Sequence, residues 1–163
     1  MFDPARRTAG RRTREPLRTR PPFDLWRDIM QVSNRLAVKL SPAADPDSLP
    51  PGCDVELVSY GGECRELVAW FGAWSRDMRG ATCVIGEDGR SVGLEHARSQ
   101  PLPRPPVADA PDAYIYEPDP ALIRSGLMAV VADRHGLALL DPEIAYLTSP
   151  NGVESPFLKA FRV

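Results

Sequence analysis

Apolar residues along the first third of the chain recur at two different spacings. In the run PPFDLWRDIMQVS they stand near helical spacing, and Pro22 fits a helix start, so the pattern predicts a helix there. The run that follows, residues 35–40, is short and mostly apolar and stops before Pro42. It predicts a buried strand that ends in a loop.

Two β-prone stretches in the middle of the chain are each divided by a pair of turn residues. The run DVELVSYGGECRELVAWF has Gly61-Gly62 at its centre, and ATCVIGEDGRSVGLEH has Asp88-Gly89. Paired glycines and Asp-Gly favour the tight turns of β-hairpins, so each stretch predicts one hairpin.

The last fifty residues predict a compact unit of strands around one helix. AYIYE reads as a strand, and LALL, EIAYLTS and FLKAFRV are three further β-prone runs. The helix is predicted in DPALIRSGLMAVVADRHG, with Asp119 as its cap, Pro120 in its first turn and Gly136 as its left-handed C-cap residue.

Proline divides the chain. The 18 prolines among 163 residues are about twice the usual share. They are dense in residues 99–111, which predicts a semi-rigid linker between a first domain, residues 1–98, and a second, residues 112–163. With its own capped helix and strands, the second domain is expected to make few contacts with the first beyond one edge.

Charge is distributed unevenly although the net charge is only −2. Seven arginines precede residue 22, against Asp3 and Glu15, so the rest of the chain is acidic. This basic N-terminal segment can bind phosphate or an acidic partner, and the alternative is a solvated tail. The three tryptophans could stack on bases, but core packing is the favoured assignment.

Other function classes find little support. Three cysteines without CxxC spacing indicate free thiols in a reducing cytosol, and neither a disulfide framework nor a metal site. No apolar run reaches transmembrane length, and no apolar segment follows the first arginines as in a secretory signal. The composition therefore predicts a cytoplasmic protein that does not enter a membrane.

The segment from Tyr114 to Val163 resembles the THUMP-like domain at the C-terminus of a bacterial family of class I S-adenosylmethionine-dependent methyltransferases. The resemblance is carried by EPDPALIRSG, LDPEIAYLT and PFLKAFRV. DPARR at residues 3–7, followed by Gly-Arg-Arg, is similar to a loop at the end of a strand in the methyltransferase sheet. Ala-Val-Lys-Leu at 37–40 and Ser-x-x-Gly-Glu-x-x-Glu at 59–66 are also similar to that family.

This resemblance implies an α/β fold: the C-terminal half of a Rossmann-like methyltransferase sheet, followed by a small α+β THUMP-like domain. It implies that Asp3 and Pro4 form the catalytic loop at a strand's carboxyl end, where doubly wound sheets bind ligands. The implied substrate-binding residues are basic: Arg6, Arg7, Arg11, Arg12 and Lys39. No metal is implied.

The resemblance also implies S-adenosylmethionine as methyl donor, although the glycine-rich turn and the acidic residue that bind it are not found in the sequence. Two hypotheses follow. The chain is the C-terminal portion of a methyltransferase acting on RNA, with another polypeptide or an upstream reading frame supplying the donor-binding half. Alternatively, it is a non-catalytic RNA- or protein-binding module left from such an enzyme, and the chain alone is inactive.

Overall fold

A computed structural model describes residues 23–163, together with Met1, Asp3 and the pairs 7–8 and 11–12. The side chains at 7–8, 11–12 and 23–24 lie outside this description. In chain order the elements are β1 (Arg7–Thr8), β2 (Arg11–Arg12), α1 (Phe23–Val32), β3 (Arg35–Leu40), a 3-10 turn (Pro46–Ser48), β4 (Asp54–Tyr60), β5 (Glu63–Gly72), β6 (Met78–Val84), β7 (Ser91–Ala97), β8 (Tyr114–Pro118), α2 (Pro120–Ser125), α3 (Met128–His135), β9 (Ala138–Asp141), β10 (Ile144–Ser149) and β11 (Leu158–Arg162).

Five strands form the first sheet, in the order β3-β5-β4-β6-β7. β4 and β6 are parallel, and the other neighbours are antiparallel. The predicted hairpin β4–β5 is confirmed: Gly61 and Gly62 join its strands with φ of 60° and 76°, a conformation that glycine adopts without strain. The hairpin β6–β7 is confirmed as well, with Gly89 at φ 78° in its turn.

The predicted helix and strand before this hairpin are also confirmed, as α1 and β3. Trp26 of α1 is fully buried and meets Phe71 of β5 edge to face, with ring centroids 6.3 Å apart. The core assignment of this tryptophan is therefore confirmed, and its contact fixes α1 against the sheet.

The second sheet has the order β11-β8-β10-β9 and is antiparallel throughout. All four strands were predicted. The single helix predicted beside them is wrong, because the chain forms two helices, α2 and α3. Gly126 adopts φ 75°, and its N–H donates to the backbone carbonyl oxygens of Ile123 and Leu122. This left-handed cap ends α2. The cap at Asp119 is confirmed, since its Oδ1 accepts from the Ala121 N–H at 2.8 Å.

The main hydrophobic core joins the first sheet to α2 and α3, and a smaller cluster of Tyr116, Ala132, Leu137 and Leu147 lies against the second sheet. α2 packs against β4, β5 and β6, and Leu122 and Leu127 are buried in the same cluster as Leu57 and Leu67. The expectation of few contacts between residues 112–163 and the first part is wrong, because the apolar side of α2 is buried on the first sheet. The boundaries at 98/99 and 111/112, and the THUMP-like arrangement, stay predictions. Among the described residues, no helix is both long and apolar enough to span a membrane.

Candidate functional site

The predicted catalytic loop lies largely outside the described residues. Asp3 is exposed, while Pro4 and Arg6 are outside the description. β1 and β2 pair antiparallel, with Arg7 opposite Arg12 and Thr8 opposite Arg11. The backbone thus brings three of the predicted substrate-binding arginines onto one short ladder: Arg7, Arg11 and Arg12. Their roles, like those of Asp3 and Pro4, stay predictions.

Lys39 lies one residue before the carboxyl end of β3. Its Nζ is 3.0 Å from Oε1 of Glu66 on β5, and the two side chains are 29% and 32% exposed. Arg65 pairs with Glu63 at 2.8 Å in the same hairpin. Half-exposed pairs of this kind contribute about 0–1 kcal/mol, so Lys39 can exchange Glu66 for another anion at little cost.

The carboxyl ends of β3, β4 and β6 lie on one edge of the first sheet, because these strands run in the same direction. A cavity of about 510 Å³ opens beside the turn that follows β4. Its polar lining includes Asp119, Tyr146 and the ion pair of Lys159 with Glu117, whose Nζ and Oε2 are 3.9 Å apart. Open, mostly parallel α/β sheets bind ligands at this end of their strands, and in the present sheet β4 and β6 are the parallel pair.

Two thiols lie beneath this edge without reactive character. Cys64 and Cys83 flank Ser59 in the registers of β4 with β5 and of β4 with β6. Burial raises the pKa of both thiols, which keeps them protonated at neutral pH and poor nucleophiles. In the part of the chain that the structure describes, no three His, Cys, Asp or Glu residues are placed to hold a metal ion.

The face of the first sheet opposite the core carries a depression of about 440 Å³, here called the outer groove. Its lining residues include Asp54, Glu56, Trp70, Trp74, Arg76, Gly80, Thr82, Gly93 and Glu95. Glu56 is fixed at its centre: Oε2 accepts from Trp70 Nε1 at 3.0 Å and Oε1 from Thr82 Oγ1 at 2.6 Å. Trp74 stands beside Trp70, 44% exposed, with centroids 5.9 Å apart.

Two strand glycines keep the outer groove open. A Cβ added at Gly80 or Gly93 would meet its nearest atoms at 3.7 Å or 3.6 Å, an ordinary contact, and neither residue has a positive φ. The backbone therefore does not require glycine at either position. What the glycines provide is space above the sheet, as they do where another group approaches a strand closely.

The charge of the outer groove is negative. Asp54, Glu56 and Glu95 stand against Arg76, which pairs with Glu95. A hydrogen bond from Arg76 to Glu95 and their charge attraction raise the pKa of the guanidinium. A fixed carboxylate beside an exposed indole suits a cation or a hydrogen-bond donor, and disfavours phosphate.

Asp54 holds the loop that carries Trp74. It is buried, and its Oδ1 accepts from Ser75 Oγ at 3.0 Å, Arg76 N at 2.7 Å and Met78 N at 2.8 Å. Asp77 in this loop has φ 60°, a left-handed conformation that favours Gly, Asn or Asp. The convergent hydrogen bonds to one carboxylate stabilise this turn.

Replacing Asp54 by Ala is expected to lower the free energy of unfolding by about 2 kcal/mol, because backbone N–H groups of the loop lose their acceptor. Urea unfolding followed by fluorescence measures the change. Asp54→Asn, which retains an Oδ1 acceptor, should cost less. Equal losses in the two variants would contradict the assigned role of Oδ1.

Comparison with known proteins aligns the whole chain with part of a longer protein. The chain is 30% identical over 166 residues to an uncharacterized S-adenosylmethionine-dependent methyltransferase of Mycobacterium tuberculosis, in strain CDC 1551 / Oshkosh and in strain ATCC 25618 / H37Rv. The match covers 100% of this chain and 44% of each relative, so the chain spans less than half of their length. No protein-family model matches.

A solved structure agrees in fold. The crystal structure of a "putative methyltransferase" from Porphyromonas gingivalis W83 superposes with a TM-score of 0.78 and 25% identity, covering 98% of this chain and 41% of that chain. The chain is therefore a mixed α/β protein with the fold of part of this methyltransferase. Its homologues are named S-adenosylmethionine-dependent methyltransferases.

Sequence reasoning missed the polar residues of the outer groove, and its core assignment is wrong for Trp74, which is 44% exposed. Asp54, Glu56 and Thr82 are ordinary polar residues on alternating strands, and only the strand register brings them together. The available signal was Gly93 inside a predicted strand, with Gly80 immediately before the other predicted strand of that hairpin.

Proposed function

We propose that this chain is the C-terminal portion of an S-adenosylmethionine-dependent methyltransferase that acts on RNA. In this proposal the donor-binding half is supplied by a segment or polypeptide outside the present sequence. The observation that carries the proposal is the match with the mycobacterial methyltransferase, which runs through 100% of the chain at 30% identity. The fold similarity to the Porphyromonas structure supports it independently, with a TM-score of 0.78.

The carboxyl edge of the first sheet is the proposed substrate side. Lys39 lies there, partly exposed and held by one surface ion pair, so it can bind a phosphate of the substrate as a point charge. Asp3 and Pro4 are proposed to form the catalytic loop at the same edge. Asp3 would accept a proton from the methylated nitrogen or orient it, and Pro4 would restrict the loop backbone.

The RNA assignment rests on the arginines near the start of the sequence. A guanidinium forms forked hydrogen bonds with phosphate oxygens, and phosphate contacts fix the register of a bound nucleic acid. Arg6, Arg7, Arg11 and Arg12 are proposed for this role. Residues 112–163 are proposed to form a THUMP-like domain.

A complementation assay tests the proposal. The chain is co-expressed with the part of the mycobacterial relative that lies outside the match, and transfer of a labelled methyl group from S-adenosylmethionine to RNA is measured. Transfer is expected from the two polypeptides together and from neither alone. Calorimetry should show no micromolar binding of the donor to the chain alone, because the donor contacts are proposed to lie in the other segment.

Two results would contradict the proposal. Micromolar binding of the donor to the chain alone would mean that this chain holds a donor pocket of its own. A complex that forms, as shown by size-exclusion chromatography, but transfers no methyl group would remove the catalytic role.

The outer groove favours a second candidate, a non-catalytic module that binds a partner protein. Its fixed carboxylate at Glu56 and its exposed Trp74 fit a cationic side chain on that partner. Under this candidate the complementation assay yields no transfer, and Glu56→Gln weakens partner binding without unfolding the chain.

A further inference from the structure

A small cavity lies at the amino end of β6, far along that strand from the carboxyl edge. It measures about 240 Å³, and we call it the amino-end pocket. Its lining residues are Asp47, Arg79, His96, Ala97, Arg98, Gln100 and Leu102. Arg79 and His96 face each other in the register of β6 with β7, and Arg98 follows β7 directly. Three nitrogen-bearing side chains therefore converge where two strands meet the following loop.

One polar atom of this pocket is left without a partner. The Nε2 atom of His96 is buried and makes no hydrogen bond. Buried polar side-chain atoms are nearly always satisfied, so an exception calls for a bound group or a functional reason. The His96 ring lines the cavity, but Nε2 has almost no accessible surface, so a group in the pocket would reach Nε2 only if the ring turned.

The two arginines of the pocket are held in place with donors to spare. Arg79 donates Nη1 to the Ser125 carbonyl at 3.0 Å, and its Nη2 pairs with Asp47. Arg98 donates Nη1 to the Cys53 carbonyl at 3.0 Å. Each guanidinium carries five N–H groups, so further donors remain on both.

Arg98 is the less neutralised of the two. Within the described part of the chain, no carboxylate lies within 4.0 Å of its guanidinium. The carboxylate in the pocket, Asp47, is paired with Arg79, and its side chain is 66% exposed, so it can turn into solvent. The pocket thus has a net positive charge and fixed donors.

We propose that the amino-end pocket binds a phosphate group. An oxyanion there would accept hydrogen bonds from the remaining N–H groups of Arg98 and Arg79, and from His96 Nε2 after a turn of the ring, with Gln100 at the rim. The volume equals roughly eight water molecules at about 30 Å³ each, enough for a phosphate with some water and small for a larger ligand. The phosphate can belong to a free ion, to a nucleotide or to an RNA backbone.

The proposal is independent of methyl transfer. The pocket lies at the amino end of β6, whereas the proposed substrate side lies at the carboxyl ends of the strands. Failure of the complementation assay would leave this pocket untouched. Failure of phosphate binding would likewise leave the methyltransferase proposal standing.

Nuclear magnetic resonance of the histidine rings tests the pocket in the unmodified chain. The sequence contains two histidines, His96 and His135, and His135 is exposed at the end of α3. Titration with inorganic phosphate is expected to shift the ring signals of His96 saturably and to leave His135 nearly unchanged. A chloride titration at matched ionic strength separates binding from screening. Equal shifts of both rings, or none, would overturn the proposal.

Three ligands and one pair of variants identify the source of the phosphate. Inorganic phosphate, adenosine 5′-monophosphate and a short single-stranded RNA without terminal phosphate are compared. Saturable shifts of His96 with any of them support the pocket, and the tightest ligand identifies the source. Arg98→Met should weaken that binding about tenfold or more by removing a charged donor, while exposed Arg134→Met should not. Undiminished binding in a folded Arg98→Met variant would overturn the proposal.

Discussion

Replacing Leu122 by Ala is expected to lower the free energy of unfolding by about 2–5 kcal/mol. Leu122 is fully buried in the core cluster that also contains Leu57 and Leu67. It lies on α2, which packs against three strands of the first sheet. The substitution removes buried methyl groups and leaves a cavity that the surrounding strands can only partly fill.

The measurement uses the position of the tryptophans. All three, at positions 26, 70 and 74, precede the segment that contains Leu122. The free energy of unfolding obtained from their fluorescence in urea should fall by the full amount of about 2–5 kcal/mol, because Leu122 is buried in the core that also holds residues of the first sheet. The matched control is the neighbouring residue Ile123, which is 38% exposed and whose replacement by Ala should cost much less. The shared core would be contradicted if the fluorescence midpoint stayed at the same urea concentration in Leu122→Ala while circular dichroism showed a separate transition at lower urea.

Local chemistry explains which elements the sequence predicted correctly. Paired glycines at 61 and 62 and the Asp-Gly at 88 and 89 act within a few residues, so their turns follow from sequence alone. The cap at Asp119 is equally local. The split between α2 and α3 escaped prediction because Leu127 and Val130 continue the helical apolar pattern across Gly126. In the structure, Gly126 takes a left-handed conformation and ends the first helix.

The sites escaped prediction for a different reason. The outer groove joins Glu56, Trp70 and Thr82 from three strands, and the amino-end pocket joins Arg79 to His96. Each contact depends on the strand register. In a single sequence, only the hydrophobic alternation and the turn type indicate that register. A polar residue on the solvent face looks the same whether or not it faces a partner.

The resemblance to a methyltransferase family supplied information that the patterns lacked. Nothing in the spacing of Asp3 or Lys39 distinguishes them from ordinary surface residues. The homologues agree with the methyltransferase part of the resemblance, and the RNA substrate and the THUMP-like domain remain proposals. The structure adds one physical constraint: Lys39 already has a partner in Glu66, so the phosphate contact proposed for Lys39 would displace an ion pair.

Substitutions of the basic residues test their proposed role in RNA binding separately from methyl transfer, in the two-polypeptide enzyme of the proposed complementation assay. Replacing Arg11 and Arg12 by Ala should weaken RNA binding and flatten its dependence on salt, by roughly one unit of slope for each lost phosphate contact. Lys39→Met should act in the same direction, since Lys39 is proposed to bind phosphate as well. Binding measured across a range of salt concentrations gives the slope. An unchanged slope would leave the arginines without a role in RNA binding.

Replacing Asp3 by Ala in the same complemented enzyme is expected to lower turnover by about 100-fold or more, with little change in RNA binding. A general base or orienting group contributes about this much to a proton transfer, and Asp3 is proposed to act on the methylated nitrogen. Asp28, an exposed carboxylate on α1, provides the matched control, and Asp28→Ala should keep normal turnover. Asp3→Asn tests the mechanism further: it retains a hydrogen-bond acceptor but cannot take the proton. Turnover near that of the unmodified enzyme in Asp3→Asn, together with a loss in Asp3→Ala, would assign Asp3 to orientation alone. Normal turnover in both variants would remove Asp3 from the catalytic machinery and leave the DPARR run as a structural turn.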